Sequence, residues 1–249
     1  MKQERAARTR QALIEAAACT FERYGYEQSR LTDISARAGV SVGALNFHFK
    51  SKAAVAHAVE HEAATTLRRV ARVMTRHQGQ ALQRLTDMSH ALADRLMRDV
   101  VARAGFRLSC AAEQRTGLDL LQEWQGCVQQ LVAEAADEGT LVESVEQQEL
   151  AAVIVAATTG LEALGRRNTE WLSEPTLAAF WRLMMPRIAT EDALGRLTPA
   201  GSARARPEAA PPPEDGADRG SGDARPLVPG PRPAGPSAEP AGSRGTGPG

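Results

Sequence analysis

Apolar residues recur with the period of an α-helix through the first 189 residues of this 249-residue chain, and no other feature constrains its fold as strongly. In TRQALIEAAACTFERYG, for example, Leu13, Ala17 and Phe21 share one helical face, and Gly25 follows as a stop. Further helices are predicted at roughly 80–103, 105–114, 117–138, 146–166 and 174–188. No segment alternates apolar and polar residues as a half-buried strand does. The sequence therefore predicts an all-α fold.

A short helix and a tight turn follow the first helix. In SRLTDISARAG, the spacing of Leu31, Ile34 and Ala38 predicts a helix with these side chains facing inward, and Ser29 is a candidate N-cap. Gly39 then supplies a turn. The stretch that begins at this glycine, GVSVGALNFHFKSK, combines small residues, an aromatic-rich run and two lysines, which an ordinary core helix does not need.

A second short helix is predicted over 42–49, with Ser41 as its N-cap. Lys50 and Ser51 separate it from a long helix that runs to about Arg76. Two short helices joined by a tight glycine-containing turn and braced by a preceding helix form a helix-turn-helix. The second helix of this motif enters the major groove of DNA, so the sequence predicts an N-terminal DNA-binding head.

Charged residues are unevenly distributed, although the formal net charge of the chain is zero. Residues 1–52 carry nine Lys and Arg against five Asp and Glu, whereas residues 53–189 carry fourteen against seventeen and residues 190–249 carry seven against eight. Positive charge is therefore concentrated beside the predicted helix-turn-helix, as binding to a polyanion requires.

The second short helix begins with residues small enough to bring its backbone close to base edges, namely Ser41, Val42, Gly43 and Ala44. Val42 or Ala44 could pack against a thymine methyl group, and Asn46 offers an amide for hydrogen bonds to a base. We expect these side chains to read the DNA sequence.

Basic side chains next to this helix are expected to bind phosphates, aided by the partial positive charge at the N-terminus of the long helix. The phosphate contacts are predicted at His48, Lys50 and Lys52, and Arg30 and Thr32 complete the DNA-binding set. Phe47 and Phe49 are expected instead to anchor the short helix to the long one.

The composition changes abruptly near Ala189. Twelve of the fourteen prolines and eleven of the twenty-one glycines lie from Thr190 onward, with no aromatic residue among them. Such a segment cannot bury enough apolar surface to offset the entropy lost on ordering. We therefore predict a disordered tail over residues 190–249, and expect its removal to leave folding and DNA binding unchanged.

The stretch LTDISARAGVSVGALNFHFKSK resembles the DNA-binding signature of the TetR family of one-component repressors, and the resemblance covers residues of about 10–56. Asn46 departs from the pattern, because the family usually has a tyrosine there that touches the phosphate backbone. Val42 stands where many relatives carry lysine. Both departures affect the expected operator sequence and affinity, but not the binding mode.

This resemblance implies that residues 53–189 form a helical domain for ligand binding and dimerisation. ELAAVIVAATTGLEALG and LAAFWRLMMPRI support it separately, since both are apolar around most of a helix and a small monomer would seldom cover both. Packing against the same helices of a second copy would form a four-helix bundle. A homodimer is also what a palindromic operator on double-stranded DNA requires.

A narrower resemblance links RAGFRLSCAAEQ and LLQEWQGCVQQLVAEAADEGTL to the γ-butyrolactone receptor branch of the family, typical of antibiotic-producing actinobacteria. It implies that Trp124 roofs a ligand pocket and that Thr158 bonds the lactone oxygen of a small-molecule effector. Helical periodicity adds an apolar lining at Leu96, Phe106, Leu120, Val128 and Ile154.

The residues alone leave alternatives open. Trp124 could be a core tryptophan, and a helix threonine such as Thr158 often bonds its own backbone. Members of the branch bind butyrolactones, butenolides or furans, and its pseudo-receptors respond to antibiotics. The expected function is a repressor that an effector of one of these kinds releases from its operator, and that thereby controls secondary metabolism.

Two rival functions have weaker support. HAVEH fits the H-x-x-E-H zinc pattern through His57, Glu60 and His61, but a catalytic zinc needs a third protein ligand. A structural helical adaptor would show no salt-dependent DNA binding. No catalytic elbow, phosphate-binding glycine loop or cysteine cluster occurs, so we predict neither an enzyme nor a cofactor.

The cellular location is expected to be the cytoplasm. Three cysteines without paired spacing are typical of reduced thiols, and the polar N-terminus lacks the apolar stretch of a signal peptide. No apolar run approaches the roughly 20 residues of a membrane span.

Overall fold

Helices account for almost all regular structure in the computed structural model, which describes residues 2–76, 79–111 and 118–202. Their bounds are α1 (Lys2–Gln28), α2 (Leu31–Arg37), α3 (Val42–His48), α4 (Lys52–Thr75), α5 (Ala81–Arg98), α6 (Val100–Ala111), α7 (Leu120–Asp137), α8 (Gln147–Gly165), α9 (Glu174–Ile188) and α10 (Glu191–Leu194), with a 3₁₀ turn at Thr169–Leu172. Over these ranges β-pairing is limited to one isolated bridge, between Leu141 and Ala189. The predicted all-α fold is confirmed.

Gly25 interrupts the first helix as predicted, with a φ of 74° that falls in the left-handed region. Ser29 is not the N-cap of α2, however, because that position belongs to Arg30 and carries no side-chain cap. The Ser29 hydroxyl instead donates a hydrogen bond of 2.6 Å to the carbonyl of Gly25. The serine therefore stabilises the kink that ends α1 instead of the helix that follows.

Serine caps fix the start of α3 and the start of α4. The Ser41 hydroxyl accepts from the N–H of Ala44 at 3.1 Å, and the Ser51 hydroxyl accepts from the N–H of Ala54 at 3.1 Å. Between α2 and α3, Gly39 has a φ of 67°, which supplies the predicted turn. The predicted helix-turn-helix is present.

The break between α5 and α6 occurs at Asp99, five residues before the position that periodicity predicts. The Asp99 carboxylate accepts hydrogen bonds from the N–H groups of Val101 (2.9 Å) and Ala102 (3.1 Å). These bonds satisfy N–H groups in the first turn of α6. Apolar spacing continues through this point, so the capping side chain decides where the helix begins.

Helix α6 lies between two clusters of buried side chains. Val101, Ala104 and Leu108 belong to the cluster that fills the N-terminal head together with residues of α1 and α4. Ala102 and Phe106 belong to a second cluster, to which α4, α5 and α7 also contribute. One face of α6 therefore packs on the head and the other on the remaining helices, and all described helices belong to one compact unit.

Residues 195–202, here called the C-terminal strap, fold back on α5, so the prediction of a disordered tail from residue 190 is wrong for its first part. The Thr198 N–H donates to Gln83 Oε1 at 2.7 Å, and Ser202 donates to Asp87 through its N–H and its hydroxyl, both at 2.7 Å. Composition missed this segment because it is held by hydrogen bonds to α5 and by Leu197, which packs against a buried core cluster, and an overall composition shows neither contact. The rest of the predicted tail, 203–249, lies outside the described residues.

Strap removal is expected to destabilise the protein. A chain ending at Ala189 loses α10 and these hydrogen bonds, each of which contributes about 1 kcal/mol, so its melting temperature should fall by roughly 5 °C or more. A chain ending at Ser202 is the matched control. Its melting temperature should equal that of the 249-residue chain, because the composition of 203–249 offers little apolar surface to bury. Equal melting temperatures for both truncations in calorimetry would show that the strap contributes nothing.

No helix in the described ranges combines the length and the apolar character that crossing a membrane requires.

Candidate functional site

The residues predicted to contact DNA lie at the surface of α2, α3 and the segments that flank α3. Most are exposed, and three are half-buried, Ala44, His48 and Lys52. The exposed ones are Arg30, Thr32, Ser41, Val42, Gly43, Asn46 and Lys50. Leu45 and Phe49 are buried and hold α3 against the rest of the head. The outer surface of α3, the second helix of the helix-turn-helix, is therefore open to a DNA groove.

Phe47 does not anchor α3 as predicted, because 76% of its surface is exposed. Leu45 and Phe49 are four positions apart and share the buried side, so the residue midway between them points away from it. The Phe47 and His48 rings pack edge to face, and their centroids are 5.3 Å apart. The exposed Phe47 beside the basic residues is therefore a candidate DNA contact that the sequence pattern did not indicate.

Lys52, for which a phosphate contact is predicted, also has partners within the head. Its ammonium donates to the carbonyls of Tyr26 and Glu27, both at 3.0 Å, and lies 4.5 Å from the centre of the Tyr26 ring. These contacts tie the start of α4 to the end of α1. Lys52 therefore helps to position the head, and Lys50 is the exposed lysine of this segment.

A largely apolar cavity of about 120 Å³ lies among α4, α5, α6, α7 and α8, with the 3₁₀ turn and α9 completing its wall. Five of the seven predicted ligand contacts line it. They are Trp124, Thr158, Phe106, Leu96 and Leu120.

Val128 and Ile154, the other two predicted contacts, do not line the cavity. Both are fully buried in a core cluster that also contains Trp181. Each lies one helical turn from a cavity residue, Val128 from Trp124 and Ile154 from Thr158, on the side of the α7–α8 connection. Periodicity places them on the right helical face, but it does not show where along the helix the cavity ends.

Trp124 and Thr158 are hydrogen-bonded to each other. The indole N–H of Trp124 donates to Thr158 Oγ1 at 2.9 Å. The Thr158 hydroxyl in turn lies 2.8 Å from the carbonyl of Ile154 and 3.2 Å from that of Val155, so its proton bonds its own helix. Thr158 therefore bonds its own helix backbone, as helix threonines often do, and also lines the cavity.

The cavity wall also carries charged side chains that the sequence reading missed. Arg68 on α4 donates two hydrogen bonds to Glu123 on α7, and the Nε–Oε2 distance is 2.7 Å. This bond raises the pKa of the Arg68 guanidinium, which therefore stays charged. Glu162 on α8 is paired with Arg166, whose NH2 lies 2.6 Å from Oε2. No local pattern could find the first pair, since its partners are 55 positions apart.

Cys127 is the remaining titratable group that contacts the cavity. Burial raises the pKa of its thiol, and the negative charge of Glu123 adds to the effect. The thiol is therefore protonated at neutral pH and contributes an apolar surface with a weak donor.

Comparison with known proteins identifies the family. The family model described as bacterial regulatory proteins, tetR family, matches residues 13–59. The A-factor receptor protein of Streptomyces griseus is 31% identical over 201 residues, which cover 80% of this chain and 71% of the relative. The chain belongs to the TetR family.

Solved structures place this TetR-family protein in the branch of ArpA-like γ-butyrolactone receptors. A crystal structure of a γ-butyrolactone receptor (ArpA-like protein) matches with a TM-score of 0.70 and 28% identity, over 81% of this chain and 98% of that one. The TetR-family protein CprB from Streptomyces coelicolor, solved with its biological operator sequence, matches with a TM-score of 0.67 and 30% identity, over 77% and 94%. The family and branch expected from the motifs are confirmed.

The zinc pattern in α4 of this regulator is divided between two sides of the helix. His57 and His61 are exposed, with ring centroids 6.4 Å apart, whereas Glu60 is only 1% exposed. A zinc held by the two histidines would have no carboxylate beside it to act as a base. Over the described ranges, three or more His, Cys, Asp or Glu side chains never come together in a group that could hold a metal ion.

Proposed function

We propose that this TetR-family protein is a repressor that binds operator DNA as a homodimer and leaves it when a small effector fills the cavity. The position of α6 carries this proposal. Phe106 of α6 lines the cavity, while Val101, Ala104 and Leu108 of the same helix pack in the head. A change in the cavity wall therefore reaches the DNA-binding surface through one helix of twelve residues.

The contact between α6 and α4 leaves no room for independent movement at Gly105. A Cβ atom at this position would lie 2.3 Å from Ala63 Cβ and 2.8 Å from the carbonyl oxygen of Val59. The two helices touch almost backbone to backbone, and packed interiors transmit displacement instead of absorbing it. Because α4 begins directly after the recognition helix α3, a shift of α6 should move the head relative to its groove.

Ion pairs reinforce the connection between α6 and the head. Glu22 of α1 lies 2.8 Å from Arg103 and 2.7 Å from Arg107, both on α6. Arg103 also donates to the carbonyls of Leu96 (2.7 Å) and Met97 (3.0 Å) at the end of α5. Since Leu96 lines the cavity, these bonds join the cavity wall to the first helix of the head.

The exposed apolar faces of α8 and α9 support the homodimer. On α9, Leu183 is 77% exposed, and on α8, Val153 and Leu164 are 50% and 44% exposed. Large apolar side chains grouped on neighbouring helices usually mark an interface. A second copy packing the same two helices would bury them and place two heads on one palindromic site.

The effector we favour is a γ-butyrolactone with an acyl chain. Similarity to proteins named A-factor receptor and γ-butyrolactone receptor supports this class, and the largely apolar cavity would accept the chain. A cavity of about 120 Å³ suits a compact signal better than a macrocyclic antibiotic. A butenolide or an antibiotic effector, as in a pseudo-receptor, is the alternative that a ligand panel tests.

Release requires that the effector and the operator favour different arrangements of the dimer, because a ligand that binds both equally displaces nothing. Control of secondary metabolism by such a repressor, acting in the cytoplasm on its operators, follows from the same proposal.

DNA binding is tested through its dependence on salt. The operator can be selected from a randomised pool of duplexes, and its affinity measured by fluorescence anisotropy at several NaCl concentrations. Lys50→Gln should weaken binding to all sequences about equally and reduce the slope of log K against log [NaCl] by about one unit per half-site. Lys52→Gln is the matched control, and should lower the melting temperature with a smaller change in slope. A wild-type affinity independent of salt would support the structural adaptor instead.

A further inference from the structure

Arg68 differs in exposure from the other side chains of the cavity wall. Of the described residues that line the cavity, Arg68 alone is exposed, and all the others are buried or half-buried. A side chain that borders the cavity and is also open to solvent marks the place where the cavity reaches the surface. The mouth of the cavity therefore lies beside Arg68 on α4.

The mouth lies between α4 and α7, and an ion pair spans it. Helix α4 packs mainly on α6, and α7 packs mainly on α8, so neither contact closes the space between α4 and α7. Across this space Arg68 donates two hydrogen bonds to Glu123, which also lines the cavity. Glu123 directly precedes Trp124, so the ion pair stands next to the indole of the cavity wall.

The ion pair is the part of this mouth that can open most easily. Its two side chains are 46% and 38% exposed, so water and salt weaken their attraction. The neighbours one turn further along the two helices, Ala71 and Cys127, also line the cavity and are too short to bridge the gap. Once the pair separates, an apolar chain can pass between these small side chains.

We propose that the effector enters the cavity between α4 and α7, and that the Arg68–Glu123 ion pair is the latch of this entrance. The inference rests on the proposed function, because it takes the cavity to be the effector site. The latch closes over the empty and the filled cavity alike. It therefore determines how fast the effector enters and leaves, and not how tightly the effector binds.

Acrylamide quenching of tryptophan fluorescence tests the latch without an effector. Trp171→Phe serves as the parent, because it removes an exposed indole, and Trp181 is fully buried, so a neutral quencher reports mainly on Trp124. At low salt, Arg68→Gln should at least double the quenching constant of this parent. NaCl should raise the constant of the parent toward that of Arg68→Gln, since salt screens the ion pair, and should leave the variant unchanged.

Arg69→Gln is the matched control, because Arg69 is the adjacent exposed arginine of α4 and does not line the cavity. Its quenching constant should equal that of the parent. Arg68→Glu combined with Glu123→Arg rebuilds the pair with reversed charges and should restore the low quenching constant. Equal quenching constants for Arg68→Gln and its parent at low salt, or the same dependence on NaCl in both, would overturn the inference.

Stopped-flow fluorescence with α-hexanoyl-γ-butyrolactone provides a second readout. Arg68→Gln should raise the association and the dissociation rate constants about threefold each and leave Kd nearly unchanged. A changed Kd with an unchanged association rate constant would overturn the latch, because Arg68 would then be a ligand contact. A wild-type protein that does not bind the lactone would overturn the proposed effector class, whereas the quenching constants still decide whether the latch exists.

Discussion

Leu183→Glu is expected to convert the protein to a monomer and to weaken operator binding by two orders of magnitude or more. The side chain is the most exposed large apolar group described on α9, and in the proposed dimer it would be buried against the second copy. A carboxylate in that position would lose its hydration without gaining a partner. Two linked heads bind one palindrome with an avidity that a single head lacks, commonly by 10²–10⁴-fold, which sets the expected loss.

Sedimentation equilibrium and fluorescence anisotropy would measure the two effects of Leu183→Glu together. Val73→Glu is the matched control, because Val73 is also an exposed apolar residue on a helix but belongs to α4. The control should remain dimeric and bind the operator as the wild type does. A dimeric Leu183→Glu protein would show that α9 does not form the interface.

Trp124→Ala is expected to leave operator affinity close to normal and to raise the effector concentration needed for release by tenfold or more. The indole is buried and lines the cavity, and tryptophan is the largest side chain among the lining residues. A loss of about 1.4 kcal/mol in effector binding is enough for a tenfold change, and truncating a buried aromatic residue commonly has a larger effect.

The matched control for Trp124→Ala is Trp171→Ala, which removes an exposed indole from the 3₁₀ turn without touching the cavity. Trp124→Phe separates the two contributions of the indole, because it keeps an aromatic ring but loses the hydrogen bond to Thr158. The effector concentration that Trp124→Phe needs for operator release should lie between the concentrations needed by the wild type and by Trp124→Ala. If the wild type and Trp124→Ala release the operator at the same effector concentration, Trp124 is a core residue without a role in effector binding.

Local chemistry explains why the head could be predicted from the sequence. The caps of α3 and α4 are serines whose hydroxyls bond N–H groups three residues later, so their effect is contained within four positions. The turn at Gly39 depends on one backbone angle that glycine adopts without strain. The prediction for Phe47 is wrong because it rests on the apolar character of the side chain. The position of Phe47, midway between the buried Leu45 and Phe49, instead directs it toward solvent.

Contacts between distant segments explain what the sequence could not show. The salt bridge of Arg68 to Glu123 and the contact of Lys52 with the end of α1 join residues far apart in the chain, and neither leaves a periodic pattern. The strap is held by Asp87 and Gln83, polar residues on a helix face that reads as solvent-exposed. For Val128 and Ile154, helical spacing predicts the correct face of each helix. It does not predict how far along the helix the cavity extends, because that depends on the packing of four or more helices.

Coupling between the cavity and the operator is the central claim, and one titration tests it most directly. The 249-residue protein is bound to a fluorescent operator selected from the randomised pool, and α-hexanoyl-γ-butyrolactone is added while anisotropy is recorded. Calorimetry confirms that the lactone binds. We predict that saturating lactone lowers operator affinity at least a hundredfold, which corresponds to about 2.7 kcal/mol of differential binding. Unchanged anisotropy with the lactone bound would contradict the account, because the cavity and the head would then not be coupled.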